Sequence, residues 1–128
     1  MAGRDAIALL REKYEAFNRG DLDAVLRDTH QAFELQRPHG GGVVRGRQAV
    51  LEHLRPDAFD EEGETPLEFV EHGDAVLVRS RSFSRGAGSG IEIDQEMFHV
   101  WRIRDGLPAR VELYMDRDEA YRAAGLRA

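Results

Sequence analysis

The chain has 128 residues, 41% apolar and 33% charged, with a formal net charge of −6. These values describe one soluble domain, 1–128, able to bury roughly two thirds of its unfolded surface, and the acidic balance excludes a nucleic-acid surface, which needs a basic stripe. Cysteine is absent, which excludes disulfides, thiolate nucleophiles and cysteine metal ligands.

Charge appears as early as Arg4 and Asp5, too soon for a signal peptide, and no apolar run approaches the roughly 18 residues of a membrane span. A cytoplasmic protein with no membrane partner is the expectation.

Residues Arg4 to Arg19 predict an amphipathic helix, with Ile7, Leu10, Tyr14 and Phe17 on one face. Asn18-Arg19-Gly20 ends it, and Asp21 is placed to cap a second helix, Leu22 to Thr29. Phe33 to Arg37 alternates as a short strand stopped by Pro38. Glycines 40 to 42 make a loop before a short extended Val43-Val44. A third helix is predicted over Arg47 to Arg55, with Pro56 as its stop.

The acidic run Asp60 to Glu64 is expected to be a solvated loop. Leu67 to His72 and Ala75 to Arg85, joined by Gly73-Asp74, predict a hairpin. The glycine-rich Arg85 to Gly90 then leads into the longest alternating stretch, Ile91 to Ile103. Asp105-Gly106 turns the chain into a last strand, Arg110 to Met115. A final helix over Arg117 to Ala124 is stopped by Gly125. Helices followed by an antiparallel meander are the pattern of an α+β fold, with a curved sheet wrapped over the first helices and a conical cavity between them.

The Ile91 to Ile103 stretch carries the functional argument. Its odd face holds Ile91, Ile93, Gln95, Met97, His99, Trp101 and Ile103, apolar except at Gln95 and His99. Two polar side chains on a buried face must find partners or line a wet pocket. On the even face, Phe98 and Val100 suggest an outer surface that is covered as well.

The chain resembles the nuclear transport factor 2-like superfamily, and within it the SnoaL-like, polyketide cyclase-like branch. The residues that carry this are Tyr14-Glu15-Ala16-Phe17-Asn18-Arg19-Gly20-Asp21-Leu22-Asp23, Arg45 to Val50, Gly88-Ser89-Gly90, His99 to Gly106 and Tyr114 to Ala120. The resemblance implies a cone-shaped fold, N-terminal helices packed in a strongly curved and mostly antiparallel sheet, in a homodimer. It implies no single activity, because the family spans isomerases, cyclases, dehydratases, epoxide hydrolases and non-catalytic modules.

Ketosteroid isomerases of this type use an aspartate base where this chain has Arg37, an oxyanion-hole aspartate where it has His99, and a tyrosine where it has Lys13. Related epoxide hydrolases carry Arg-x-Asp where Met97-x-His99 stands. Related cyclases use an aspartate where Leu113 stands.

From the residues themselves, His99 is the sharpest candidate, since an imidazole titrating near 6.5 can move a proton at cellular pH. Arg37, on the face of Phe33 and Leu35 if the strand register holds, would stabilise negative charge. Tyr14 and Gln95 would orient a substrate, while Met97, Trp101 and Leu113 would wall the pocket. Each has a plainer role as core or as a paired surface group. His30, His39, His53 and His72 show no metal-ligand spacing, and no cofactor or metal is expected.

The function that follows is a small-molecule pocket for a mostly apolar carbonyl or hydroxyl compound. It would act as a cofactor-free isomerase, cyclase or dehydratase using acid–base chemistry. The alternatives are a non-catalytic ligand-binding or dimerisation module, and a structural domain with a filled core.

Overall fold

The computed structural model describes residues 3–55 and 59–127. Helix α1 (Gly3–Asn18) buries Ala6, Leu10, Lys13 and Tyr14; Leu10 is four residues from Ala6 and three and four from Lys13 and Tyr14, which puts them on one face. Helix α2 (Leu22–Leu26) begins at Asp21, whose carboxylate accepts the Ala24 N–H at 3.1 Å. It stops short of the expected Thr29. Strand β1 (Glu34–Gln36) and β2 (Val43–Arg45) form a short antiparallel pair around a 3-10 turn, Pro38–Gly40. Helix α3 (Arg47–Leu54) follows Gly46; the expected stop at Pro56 lies outside the described residues.

Three long strands come next. They are β3 (Phe59–His72), β4 (Ala75–Gly86) and β5 (Glu92–Arg104), followed by β6 (Leu107–Tyr114) and helix α4 (Arg117–Ala123). Between β5 and β6 both Asp105 (φ 54°) and Gly106 (φ 79°) are left-handed, the two-residue turn whose twist matches its flanking strands. The six strands make one mixed sheet ordered β2-β1-β6-β5-β4-β3. All neighbours are antiparallel except β1 and β6, which run parallel. Among the described residues no helix is long and apolar enough to cross a membrane.

The two faces of the sheet carry separate cores. On the inner face Val76, Val78, Trp101, Ile103 and Val111 pack against Leu10, Tyr14, Val25 and Val50 of the first three helices. On the outer face Ala75, Leu77, Phe98 and Val100 are covered by Ala120, Tyr121 and Ala124 of α4 and its end. Phe98 and Val100 are therefore buried within their own chain and do not argue for a second copy. Beyond α4 the outer face turns charged, with Arg79 pairing to Glu68 and Glu96, and Arg81 to Asp94. The result is the cone-shaped α+β fold, with a curved, open sheet wrapped over the N-terminal helices.

Candidate functional site

Strand β5 enters the cavity at its middle. His99 is 6% exposed and Trp101 7%, with Met97 half-buried beside them. Helix α1 supplies Tyr14 opposite, its ring stacked on the imidazole at 5.8 Å and 7°. The Tyr14 hydroxyl lies 2.6 Å from His99 Nδ1 and accepts the Trp101 indole N–H at 3.0 Å. Indole can only donate, and the phenol has one proton to give. Assigned from this network, that proton goes to Nδ1, so His99 carries its own hydrogen on Nε2.

Nε2 faces a carboxylate: Glu64 Oε1 lies 3.9 Å away. Ser80 Oγ donates to Glu64 at 2.7 Å, and Ser82 Oγ reaches both carboxylate oxygens at 2.8 and 2.7 Å. This corrects the expectation that Asp60 to Glu64 is a solvated loop: the segment is the first part of β3. Pairing with β4 slips by one residue between Pro66 and Glu68. On the far side of that bulge Phe69 meets Tyr14, so the inner face is odd-numbered there and even-numbered before it. One extra residue, Leu67, thus turns Glu64 inward.

Burial sets the protonation states. It lowers the His99 pKa from 6.5 to about 4, so the imidazole is neutral at pH 7 and its approach to Glu64 is not an ion pair. A neutral His99 in the tautomer assigned above presents Nε2–H toward the cavity, and its titration lies below the near-neutral range expected of it. Burial raises the Glu64 carboxyl above its ordinary value, with the two serine hydroxyls opposing the rise. The Tyr14 phenol is pushed well up, chiefly by burial, and stays protonated. Lys13 is also buried, its pKa lowered to about 8 by desolvation. Its ammonium donates to the carbonyls of Val25, at 2.9 Å, and of Arg27, closing the end of α2.

These groups border a cavity of about 140 Å³, which Phe17, Met97, Val111 and Leu113 make mostly apolar. A neighbouring, larger hollow of about 350 Å³, lined in part by Asn18, Glu61 and Glu62, shares Phe17 and Leu54 with it. Those two side chains therefore border both hollows.

Tyr14, Met97, His99, Trp101 and Leu113 thus come together on one cavity, and two expected residues do not join them. Gln95 is on the inner face of β5, opposite Ser82, but lies beyond the reach of the helices and is exposed. Ile93 and Ile91, next along that face, are 44% and 66% exposed. Arg37 falls just outside β1, where Pro38 starts the turn. It is exposed in a second, polar hollow with Gln36, His39 and Glu119, which has Leu113 in common with the cavity but not His99. Ser80 and Ser82 have their signal in the alternation of β4. Glu64 has none apart from the bulge.

Residues 10–111 match the family model of the SnoaL-like domain. No curated protein matches the chain. Among solved structures, an NTF2-like protein of unknown function from Burkholderia pseudomallei is 28% identical, with TM-score 0.78, covering 92% of this chain and 95% of that one. TerC, co-crystallised with polyporic acid, is 24% identical with TM-score 0.75, covering 93% and 97%. SalBIII, an epoxide hydrolase/cyclase-like enzyme of pyran ring formation in the polyether salinomycin, is 18% identical with TM-score 0.80, covering 91% and 95%. With the family model matched over most of its length, the chain belongs to the SnoaL-like family.

Proposed function

We propose that the protein is a cofactor-free acid–base enzyme acting on a small, mostly apolar carbonyl compound, with isomerisation through an enolate as its elementary reaction. The observation that carries this is the half-buried Glu64 carboxylate facing the neutral His99 imidazole across 3.9 Å at the wall of an apolar cavity.

Glu64 is the proton carrier. Its raised pKa moves it toward the range in which a carboxylate takes up a proton readily and still gives it back. The Glu64 carboxylate removes a proton from the carbon next to the carbonyl, and the electron pair moves onto the carbonyl oxygen. His99 Nε2–H donates a hydrogen bond to that oxyanion, and Tyr14, held by Trp101, fixes the imidazole from behind. Glu64 then returns the proton to the same carbon, or to one conjugated with it. Cyclisation or dehydration would begin from the same enolate.

Size narrows the substrate. An engineered apolar cavity of about 150 Å³ holds benzene, so about 140 Å³ suits one six-membered ring, with larger groups extending past Phe17 and Leu54. The small molecule bound by TerC supports small-molecule binding in this fold.

The test is deuterium uptake beside the carbonyl of cyclohexanone in heavy water, and conversion of cyclohex-3-enone to cyclohex-2-enone. Both should be accelerated, and Glu64→Gln should slow them by on the order of a hundredfold or more. Binding of these ketones with no acceleration would instead mark a non-catalytic ligand-binding module. The homodimer implied by the family belongs to the same proposal. On the outer face, the surface left for it is the ion-paired one around Arg79 and Arg81, and sedimentation reads the outcome.

A further inference from the structure

The carboxylate of the proposed base is aimed by its backbone, and that backbone lies on the last strand of the sheet. Among the described residues β3 pairs only with β4, and its other edge has no strand neighbour there. Glu64 stands opposite Ser82 with its own N–H and C=O turned to that free edge. This is the close, non-hydrogen-bonded kind of antiparallel pair, which brings the two side chains together.

The outward peptide groups are both taken by one side chain. Asn18 Oδ1 accepts the Glu64 N–H at 2.7 Å, and Asn18 Nδ2 donates to the Glu64 C=O at 2.7 Å. A carboxamide here does what a neighbouring strand would do, with both bonds made to a single residue.

Asn18 is the last residue of α1, four positions after Tyr14 and so on the same side of the helix. Tyr14 holds His99 by its hydroxyl, and Asn18 holds Glu64. Two side chains one turn apart on one rigid element therefore grip both partners of the 3.9 Å gap.

We infer that Asn18 is a positioning residue for Glu64, and that α1 sets the spacing between the proton carrier and the oxyanion donor. The inference rests on the acid–base reading for its consequence in catalysis, but not for its structural content. Asn18 touches no reacting atom and acts through the Glu64 backbone.

The experiment compares the parent protein with Asn18→Ala and Asn18→Asp. Three quantities are read: hydrogen exchange at the Glu64 amide, carbon-detected titration of the Glu64 carboxyl, and kcat and KM for deuterium uptake by cyclohexanone. Asn18→Ala should speed exchange at that amide about tenfold, in line with the loss of a single hydrogen bond. It should also alter the Glu64 titration and lower kcat about tenfold with KM unchanged. Asn18→Asp keeps the acceptor for the N–H and loses the donor to the C=O, so its amide should exchange more slowly than in Asn18→Ala. It also keeps the experiment decisive if the alanine variant does not fold.

Parental amide exchange and parental Glu64 titration in Asn18→Ala, or Asn18→Asp exchanging that amide as fast as an unbonded one, overturn the inference, even where kcat falls. Failure of the acid–base reading looks different, because Glu64→Gln would then exchange ketone protons as fast as the parent while the amide result stands unaffected.

Discussion

The neutral state of His99 makes a prediction about stability that needs no substrate. In the unfolded chain this imidazole titrates near 6.5, and in the folded protein burial holds it at about 4. Between those values the unfolded state binds the additional proton. Stability therefore rises with pH in this window, is complete above 6.5, and is lost as pH falls toward 4. At about 1.36 kcal/mol per pH unit, the full effect is on the order of 3 kcal/mol, of which about 2 kcal/mol disappears between pH 7 and pH 5.

Glu64 works against this. Its folded pKa is raised, so the folded state holds that proton more tightly, and its contribution weakens the protein as pH rises. The two are separated by measuring urea unfolding at pH 7 and pH 5 in the Glu64→Gln background, with His99 and with His99→Gln. The His99 protein should lose about 2 kcal/mol more than the His99→Gln protein over that interval. Parallel losses in the two proteins would refute the desolvated imidazole.

Two more predictions concern the site. Ser82 Oγ bonds both Glu64 oxygens and holds its pKa down, so Ser82→Ala should raise it further. Glu64 acts as a base only when ionised, so the acid limb of the rate profile for cyclohexanone exchange should move to higher pH. Arg37→Ala should leave that exchange within about twofold of the parent, as for a surface substitution, because Arg37 is exposed and does not line the cavity that holds Glu64 and His99.

The parts of the structure legible in the sequence are those in which one residue's neighbours along the chain decide its surroundings. The odd and even faces of β5 follow from alternation. The Asp105-Gly106 turn follows from the residue types that tolerate left-handed backbone. The cap at Asp21 and the stop at Gly125, left-handed at φ 80°, belong to the same class. For Gln95 alternation gives the correct face and the wrong environment. Facing inward is a property of the strand, whereas being covered depends on how far α1 extends across it. A strand of 13 residues outruns the helix beneath it, so Ile93 and Gln95 emerge into solvent while Met97 and His99 do not.

Glu64 shows the deeper obstacle. In Asp60-Glu61-Glu62-Gly63-Glu64 four carboxylates in five residues read as a hydrated segment, and nothing local separates the fourth from the rest. What separates it is non-local: a one-residue slip against β4 at Leu67, two serines on the neighbouring strand, and the Asn18 carboxamide from a helix 46 positions away. An isolated inward carboxylate would be costly to bury. Here three hydroxyl contacts, from Ser80 and Ser82, meet its oxygens, and both its peptide groups are bonded to α1. An acid that the fold takes out of an acidic run, turns around with a bulge and secures from two directions has a held position rather than a tolerated one. The same bulge separates Glu64 from Leu67, which stays 45% exposed, so the fold leaves the apolar side chain in water and brings the charged one in. That inversion is the physical argument that Glu64, more than His99, is the residue around which this cavity is arranged.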